Sequence, residues 1–157
     1  MILELHVNGT IHSVDVEPRK TLADVLREEL RLTGTHLGCE HGVCGACTVL
    51  LAGAPVRACL VFAVQCEGTE ITTIEGLAEN GRLNAVQQAF VDNFGMQCGF
   101  CTPGFVMLVE GALRTNDDLT DDELVEILAS NLCRCTGYVS IKAAAEQALD
   151  GARSTAT

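Results

Sequence analysis

Leu3, Leu5 and Val7 alternate with Glu4 and His6, and Asn8-Gly9 follows at once. Period-two alternation closed by an Asn-Gly pair predicts a β-hairpin with a two-residue turn. On its return strand Val14 and Val16 alternate with Ser13 and Asp15. Thr21 then stands as a cap before Leu22, Val25, Leu26 and Leu30, whose spacing puts them on one helical face. After a loop rich in glycine and cysteine, a strand is predicted over 48–51, a turn at Gly53-Ala54-Pro55 and a strand over 70–74. The first half therefore reads as a mixed sheet over a single helix.

After Gly76 the apolar period changes to 3.6. Leu83, Val86, Phe90, Val91 and Phe94 make one stripe; Phe105, Leu108, Val109, Ala112 and Leu113 make a second, with Thr102 as cap and Pro103 at its first position. A third helix opens with a capping box, Thr120 to Glu123, and a staple from Leu119 to Leu124. Ile141, Ala144, Ala145, Ala148 and Leu149 form the fourth. Four short helices with brief links predict a bundle, and Gly151–Thr157 reads as a frayed tail. The chain thus divides into 1–76, 77–150 and a tail over 151–157.

The chain has 157 residues, so each half has a small core, of the size that relies on a staple such as a metal or a partner surface. Lys and Arg number 10 against 21 Asp and Glu, for a net charge of −11. That balance excludes a nucleic-acid partner. No apolar run approaches the ~20 residues of a membrane span, and no secretory signal is visible, so a reducing cytoplasm is the expected compartment. No phosphate-binding loop, dinucleotide fingerprint or Ser/His/Asp set is present. The acidic stretch from Asp117 to Glu123 reads as a solvated helix start.

Nine cysteines remain to be explained. An odd number without an export signal argues against a disulfide framework. Cys39-x4-Cys44-x2-Cys47, followed by Cys59, has the plant-type [2Fe–2S] spacing. In that loop Gly38, Gly42 and Gly45 free the backbone for positive φ, so that N–H groups turn toward sulfur. Cys39-x-His41 is half of a Rieske motif, but the matching C-x-x-H is missing, which leaves His41 as a solvated loop residue. Neither C-x-x-C pair opens a helix after a buried strand, so a thioredoxin-like reading fails too. Cys98-x2-Cys101 and Cys133-x-Cys135 form a second set, each pair just before a helix whose positive end favours a negative group. Zinc and an iron–sulfur cluster both remain open for this set; the single-residue spacing of Cys133 and Cys135 favours the cluster. Cys66 is left over and reads as a small buried residue. Arg134, between two cysteines, is either a salt-bridge residue or a charge that eases reduction.

These motifs together carry a family resemblance. Gly38-Cys39-Glu40-x-Gly42-x-Cys44-Gly45-Ala46-Cys47, Arg57-Ala58-Cys59-Leu60, Gln97-Cys98-Gly99-Phe100-Cys101-Thr102-Pro103-Gly104 and Asn131-Leu132-Cys133-Arg134-Cys135-Thr136-Gly137-Tyr138 stand in order along the chain. The chain resembles the small iron–sulfur subunit of the molybdenum hydroxylases, the xanthine dehydrogenase family, over about residues 2–150. The resemblance implies an α+β chain in which a plant-ferredoxin-like β-grasp domain precedes a four-helix-bundle domain, each with one [2Fe–2S] cluster. It implies that Cys39, Cys44, Cys47 and Cys59 ligate the first cluster and Cys98, Cys101, Cys133 and Cys135 the second, and that Gln97 and Cys135 approach a pterin. It further implies a large subunit with molybdopterin, plain or as the cytosine dinucleotide, and a medium subunit with FAD, in a heterotrimer or a dimer of heterotrimers. Electrons would leave the pterin one at a time through both clusters. In a related reductase of the 4-hydroxybenzoyl-CoA reductase kind they would run the other way. The substrate pocket would lie in another chain.

Overall fold

The computed structural model describes residues 1–155. Strands β1 (Ile2–Val7) and β2 (Thr10–Asp15) form the antiparallel hairpin, with Asn8 and Gly9 at φ 51° and 73° as a two-residue turn requires. Strands β3 (Thr48–Leu51), β4 (Ala54–Arg57) and β5 (Glu70–Thr72) complete a five-stranded sheet of order β2-β1-β5-β3-β4. The β1–β5 pair is parallel, the others antiparallel. The turn before β4 falls at Ala52 and Gly53, one residue earlier than expected; Ala54 and Pro55 already pair across from Leu51 and Leu50. The strand expected over 70–74 stops at Thr72, and a 3-10 turn takes over at Ile74–Gly76.

Helix α1 (Leu22–Asp24) is capped reciprocally by Thr21 and Asp24, then widens into a π-helical turn over Val25–Glu29. With Leu3, Leu5, Val7, Val49 and Ile71 it forms the first core. Four more helices follow: α2 (Ala85–Asp92), α3 (Thr102–Thr115), α4 (Asp121–Leu128) and α5 (Val139–Thr155). They bury Phe90, Phe105, Met107, Leu124 and Ile141 in a second core. Leu50 of β3 belongs to that second core, so the sheet is clamped between α1 and α3.

Three helical expectations change. Helix α2 ends at Asp92, and Leu83, Val91 and Phe94 are 46%, 45% and 80% exposed; the buried face is Val86, Ala89 and Phe90. The cap of α3 is Cys101 rather than Thr102, whose hydroxyl is buried inside the first turn. Gly151–Thr155 continue α5 instead of fraying. Arg153 ties that end down by donating to Asp121 Oδ1 (3.0 Å) and the Leu119 carbonyl (2.7 Å). The rest of the expected tail, 156–157, lies outside the described residues. Among the described residues no helix is long and apolar enough to cross a membrane.

Candidate metal centres

The loop from Cys39 to Cys47 is turned inward by left-handed backbone at Glu40, Gly42 and Gly45 (φ 56°, 83° and 73°). Gly38, expected to share this role, does not have positive φ; its Cα faces the Cys44 sulfur instead, where an added Cβ would stand 3.2 Å away. The turn aims N–H groups at sulfur. Cys44 N donates to Cys39 Sγ at 3.3 Å. With His41 and Val43 helping, this donor brings the Cys39 thiol down to about 6. A thiolate is the form that binds metal. Cys47 just before β3 and Cys59 just after β4 lie together at the open end of that pair, where Ala58 N donates to the Cys47 carbonyl at 3.2 Å. Burial, ahead of the neighbouring Cys59, pushes Cys47 up to about 11. A metal bound there would have to displace the thiol proton, and its charge would then offset the buried thiolate.

Cys98, Cys101, Cys133 and Cys135 all line one cavity of about 460 Å³ with Phe100, Leu132, Arg134 and Tyr138. Cys101 is pushed up to about 12, by burial first and Cys133 second. Burial also raises Cys133, but the Thr136 hydroxyl (3.2 Å) and N–H (3.4 Å) outweigh it and hold Cys133 below the ordinary thiol value. Tyr138 accepts from Cys133 N at 3.0 Å and meets Phe105 edge-on, fixing this loop to α3.

The sulfurs pair up. Cys39 sits with Cys44, Cys47 with Cys59, Cys101 with Cys133 and Cys98 with Cys135. Among the described residues no three His, Cys, Asp or Glu side chains gather as a single ion would need. Two such pairs per site would give each iron of a two-iron, two-sulfide cluster two thiolates.

The two loops are joined directly. Leu132 N donates to the Cys44 carbonyl (2.9 Å), and buried Asn131 donates through Nδ2 to the Gly45 carbonyl (3.3 Å). Gly45 and Gly104 make room for this seam: an added Cβ would stand 1.9 Å from Asn131 Oδ1 or 2.3 Å from Gly45 O, respectively. On its outer side His36 stacks on Phe100 (ring centroids 4.9 Å apart) and bonds its carbonyl through Nδ1 at 2.7 Å. Arg57 donates to Thr48 Oγ1 and to Ser130. Ser130 and His36 carry no signal in the sequence, and Arg57 and Asn131 stand there only as motif positions, with nothing to show that they join the loops. Only the glycines beside the cysteines hinted at a close approach.

Of the other residues singled out, Gln97 is exposed beside exposed Cys98 and Cys135. His41 is exposed and bonds its own loop at the Cys39 carbonyl (2.5 Å). Cys66 is fully buried in the sheet core, its thiol raised by burial. Arg134 is exposed and has no ion pair among the described residues.

A chain with two four-thiol centres in a ferredoxin-like and a helical unit is a two-cluster iron–sulfur protein. The 2Fe-2S iron-sulfur cluster binding domain family matches residues 5–71, and the [2Fe-2S] binding domain family matches residues 73–146. The chain is similar to caffeine dehydrogenase subunit gamma of Pseudomonas sp. (strain CBB1), 54% identical over 143 residues covering 89% of this chain and 86% of that one. It is also similar to the nicotine 6-hydroxylase small subunit of Paenarthrobacter nicotinovorans, 50% identical over 139 residues covering 88% and 84%. The solved quinoline 2-oxidoreductase from Pseudomonas putida 86 superposes with a TM-score of 0.91 at 46% identity, covering 98% of this chain and 96% of that one. The chain belongs to the small [2Fe–2S] subunits of the molybdenum hydroxylase, or xanthine dehydrogenase, family. Such subunits work in oxidoreductase complexes with larger partners, and this chain is an electron-transfer component of that kind.

Proposed function

We propose that this chain passes electrons singly from a molybdopterin centre on a large subunit to FAD on a medium subunit, or to another acceptor. Cys39, Cys44, Cys47 and Cys59 hold the N-terminal [2Fe–2S] cluster, and Cys98, Cys101, Cys133 and Cys135 the C-terminal one. Each cluster, when bound, stores and releases one electron. The chain's own residues set the conditions. N–H groups of the first loop and the Thr136 hydroxyl support charged sulfur. The Leu132–Cys44 bond keeps the two loops in contact.

What supports the direction of the route is the contrast between the two centres. Cys98 and Cys135 lie exposed beside Gln97, whose free amide both donates and accepts, as a pterin edge requires. The relatives' names, dehydrogenases and a hydroxylase, favour outflow from the pterin over the reductase direction. We place the unit boundary after Gly76 and the complex, a heterotrimer or a pair of them, in the cytoplasm. Two oxidised clusters make the chain's −11 charge about −15, at −2 per four-thiolate cluster, so the partner faces carry basic residues. In stopped-flow reduction of the holo complex by substrate, Gln97→Ala should slow electron arrival at both clusters while both stay assembled. Unchanged arrival rates would remove Gln97 from the route.

A further inference from the structure

One half-buried cation in the seam has no anion to match it. Arg57 closes β4, and its guanidinium donates through Nη1 to Thr48 Oγ1 (2.6 Å) and through Nη2 to the Ser130 carbonyl (3.0 Å) and hydroxyl (3.1 Å). All three acceptors are neutral. Among the described residues Arg57 makes no ion pair; Arg27, Arg31, Arg82 and Arg134 make none either, while Arg19, Arg114, Arg153, Lys20 and Lys142 each reach a carboxylate, so what sets Arg57 apart is its place between the two cysteine loops. In a chain of net charge −11 a carboxylate partner was easily supplied. A guanidinium drawn partly out of water loses some hydration without a counter-charge to replace it, and it stays charged because it does not titrate away.

The position of Arg57 says where the counter-charge lies. Thr48 directly follows Cys47, Arg57 itself is two residues before Cys59, and Ser130 is three residues before Cys133. The side chain therefore spans the join between the two four-cysteine loops. Thiolates ligating a cluster would bring negative charge to that join, where no Asp or Glu reaches the guanidinium.

We infer that Arg57 is the shared counter-charge of the two centres, a positioning residue whose fork ties β4 to the second cysteine loop and whose fixed positive charge makes both clusters easier to reduce. This rests on the ligand assignment proposed above. An added electron makes a cluster more negative, and a fixed cation held half out of water stabilises that form more than a fully solvated one does. Arg134, the arginine that sequence alone singles out, is exposed, so water screens its charge.

The test is an EPR-monitored redox titration of the holo complex, comparing wild type with Arg57→Gln and Arg57→Lys. Arg57→Gln keeps a hydrogen-bond donor and removes the charge. It should lower the equilibrium constant for reduction of both clusters on the order of tenfold, a drop of about 59 mV for a one-electron couple, with g values and spin counts unchanged. Arg57→Lys keeps the charge without the fork and should recover most of that drop. Midpoints unmoved in Arg57→Gln, or lowered as far by Arg57→Lys, would overturn the inference. If Arg57→Gln fails to load, Ser130→Asp replaces it, setting a carboxylate against the guanidinium; it should lower both midpoints, and unmoved midpoints would overturn the inference equally. A wild-type complex with one cluster per chain would instead defeat the ligand assignment.

Discussion

Replacing Gly104 by alanine tests the seam through the sign of its effect. Gly104 lies in the first turn of α3, where helix propensity alone favours alanine by about 1 kcal/mol. The added methyl carbon, however, would stand 2.3 Å from the Gly45 carbonyl oxygen and 3.0 Å from Ala46 Cα. Both obstacles are backbone. The Gly45 carbonyl is also pinned by Thr48 N (3.2 Å), Thr48 Oγ1 (2.6 Å) and Asn131 Nδ2 (3.3 Å), so it has no free direction in which to yield. Overpacking costs about 1–3 kcal/mol, and an immovable neighbour puts this site at the upper end. Against the propensity gain, a net loss of about 2 kcal/mol remains, or about 4–8 °C in melting temperature for a chain of this length. Gly151 is the control: it lies in α5 with nothing within 4 Å of an added Cβ. There the same substitution should raise the melting temperature by a few degrees at most. Thermal unfolding of the cluster-loaded protein, followed by calorimetry, reads both. A Gly104→Ala protein that melts at or above wild type would refute the contact between α3 and the first cysteine loop.

The holo protein should carry four iron and four acid-labile sulfide per chain, two of each per [2Fe–2S] cluster. Cys66→Ser should leave that count unchanged and Cys59→Ser should reduce it; the reverse pattern would make Cys66 the fourth ligand. The capping box at α4 predicts a pH dependence. Thr120 N–H and then its hydroxyl hold the Glu123 carboxyl below its ordinary 4.5. A depressed carboxyl contributes stability that is complete above its unfolded pKa and is lost as pH falls through the folded value. Wild type should therefore exceed Glu123→Gln in melting temperature near pH 6 and lose that lead well below pH 4.5; a lead constant across that window would mean the carboxylate charge contributes nothing.

Local chemistry made part of this molecule legible in its sequence. The Asn8-Gly9 turn and the Thr120–Glu123 box are written within a few residues and form as read, and the first cysteine loop takes positive φ at Gly42 and Gly45 though not at Gly38. The strand over 48–51 was also legible, but not the fact that α3 covers its second face through Leu50. The α2 stripe misled for a related reason. Val91 and Phe94 share helical spacing with Phe90, yet the helix ends at Asp92 and Phe94 turns to φ 53°, out toward solvent. The seam was least legible, because Arg57 and Ser130 are 73 positions apart and Asn131 and Gly45 are 86. Nothing local to either partner announces such a meeting.

The proposed electron route depends on the order of the two centres, with the exposed C-terminal cysteines beside Gln97 nearest the pterin. EPR of the partly reduced complex tests it most directly, through the magnetic splitting of the Mo(V) signal by each reduced cluster. Two [2Fe–2S] signals of one spin per chain each, with Mo(V) split more strongly by the cluster that Cys133→Ser abolishes, is the predicted result. Stronger splitting by the cluster that Cys59→Ser abolishes would contradict it.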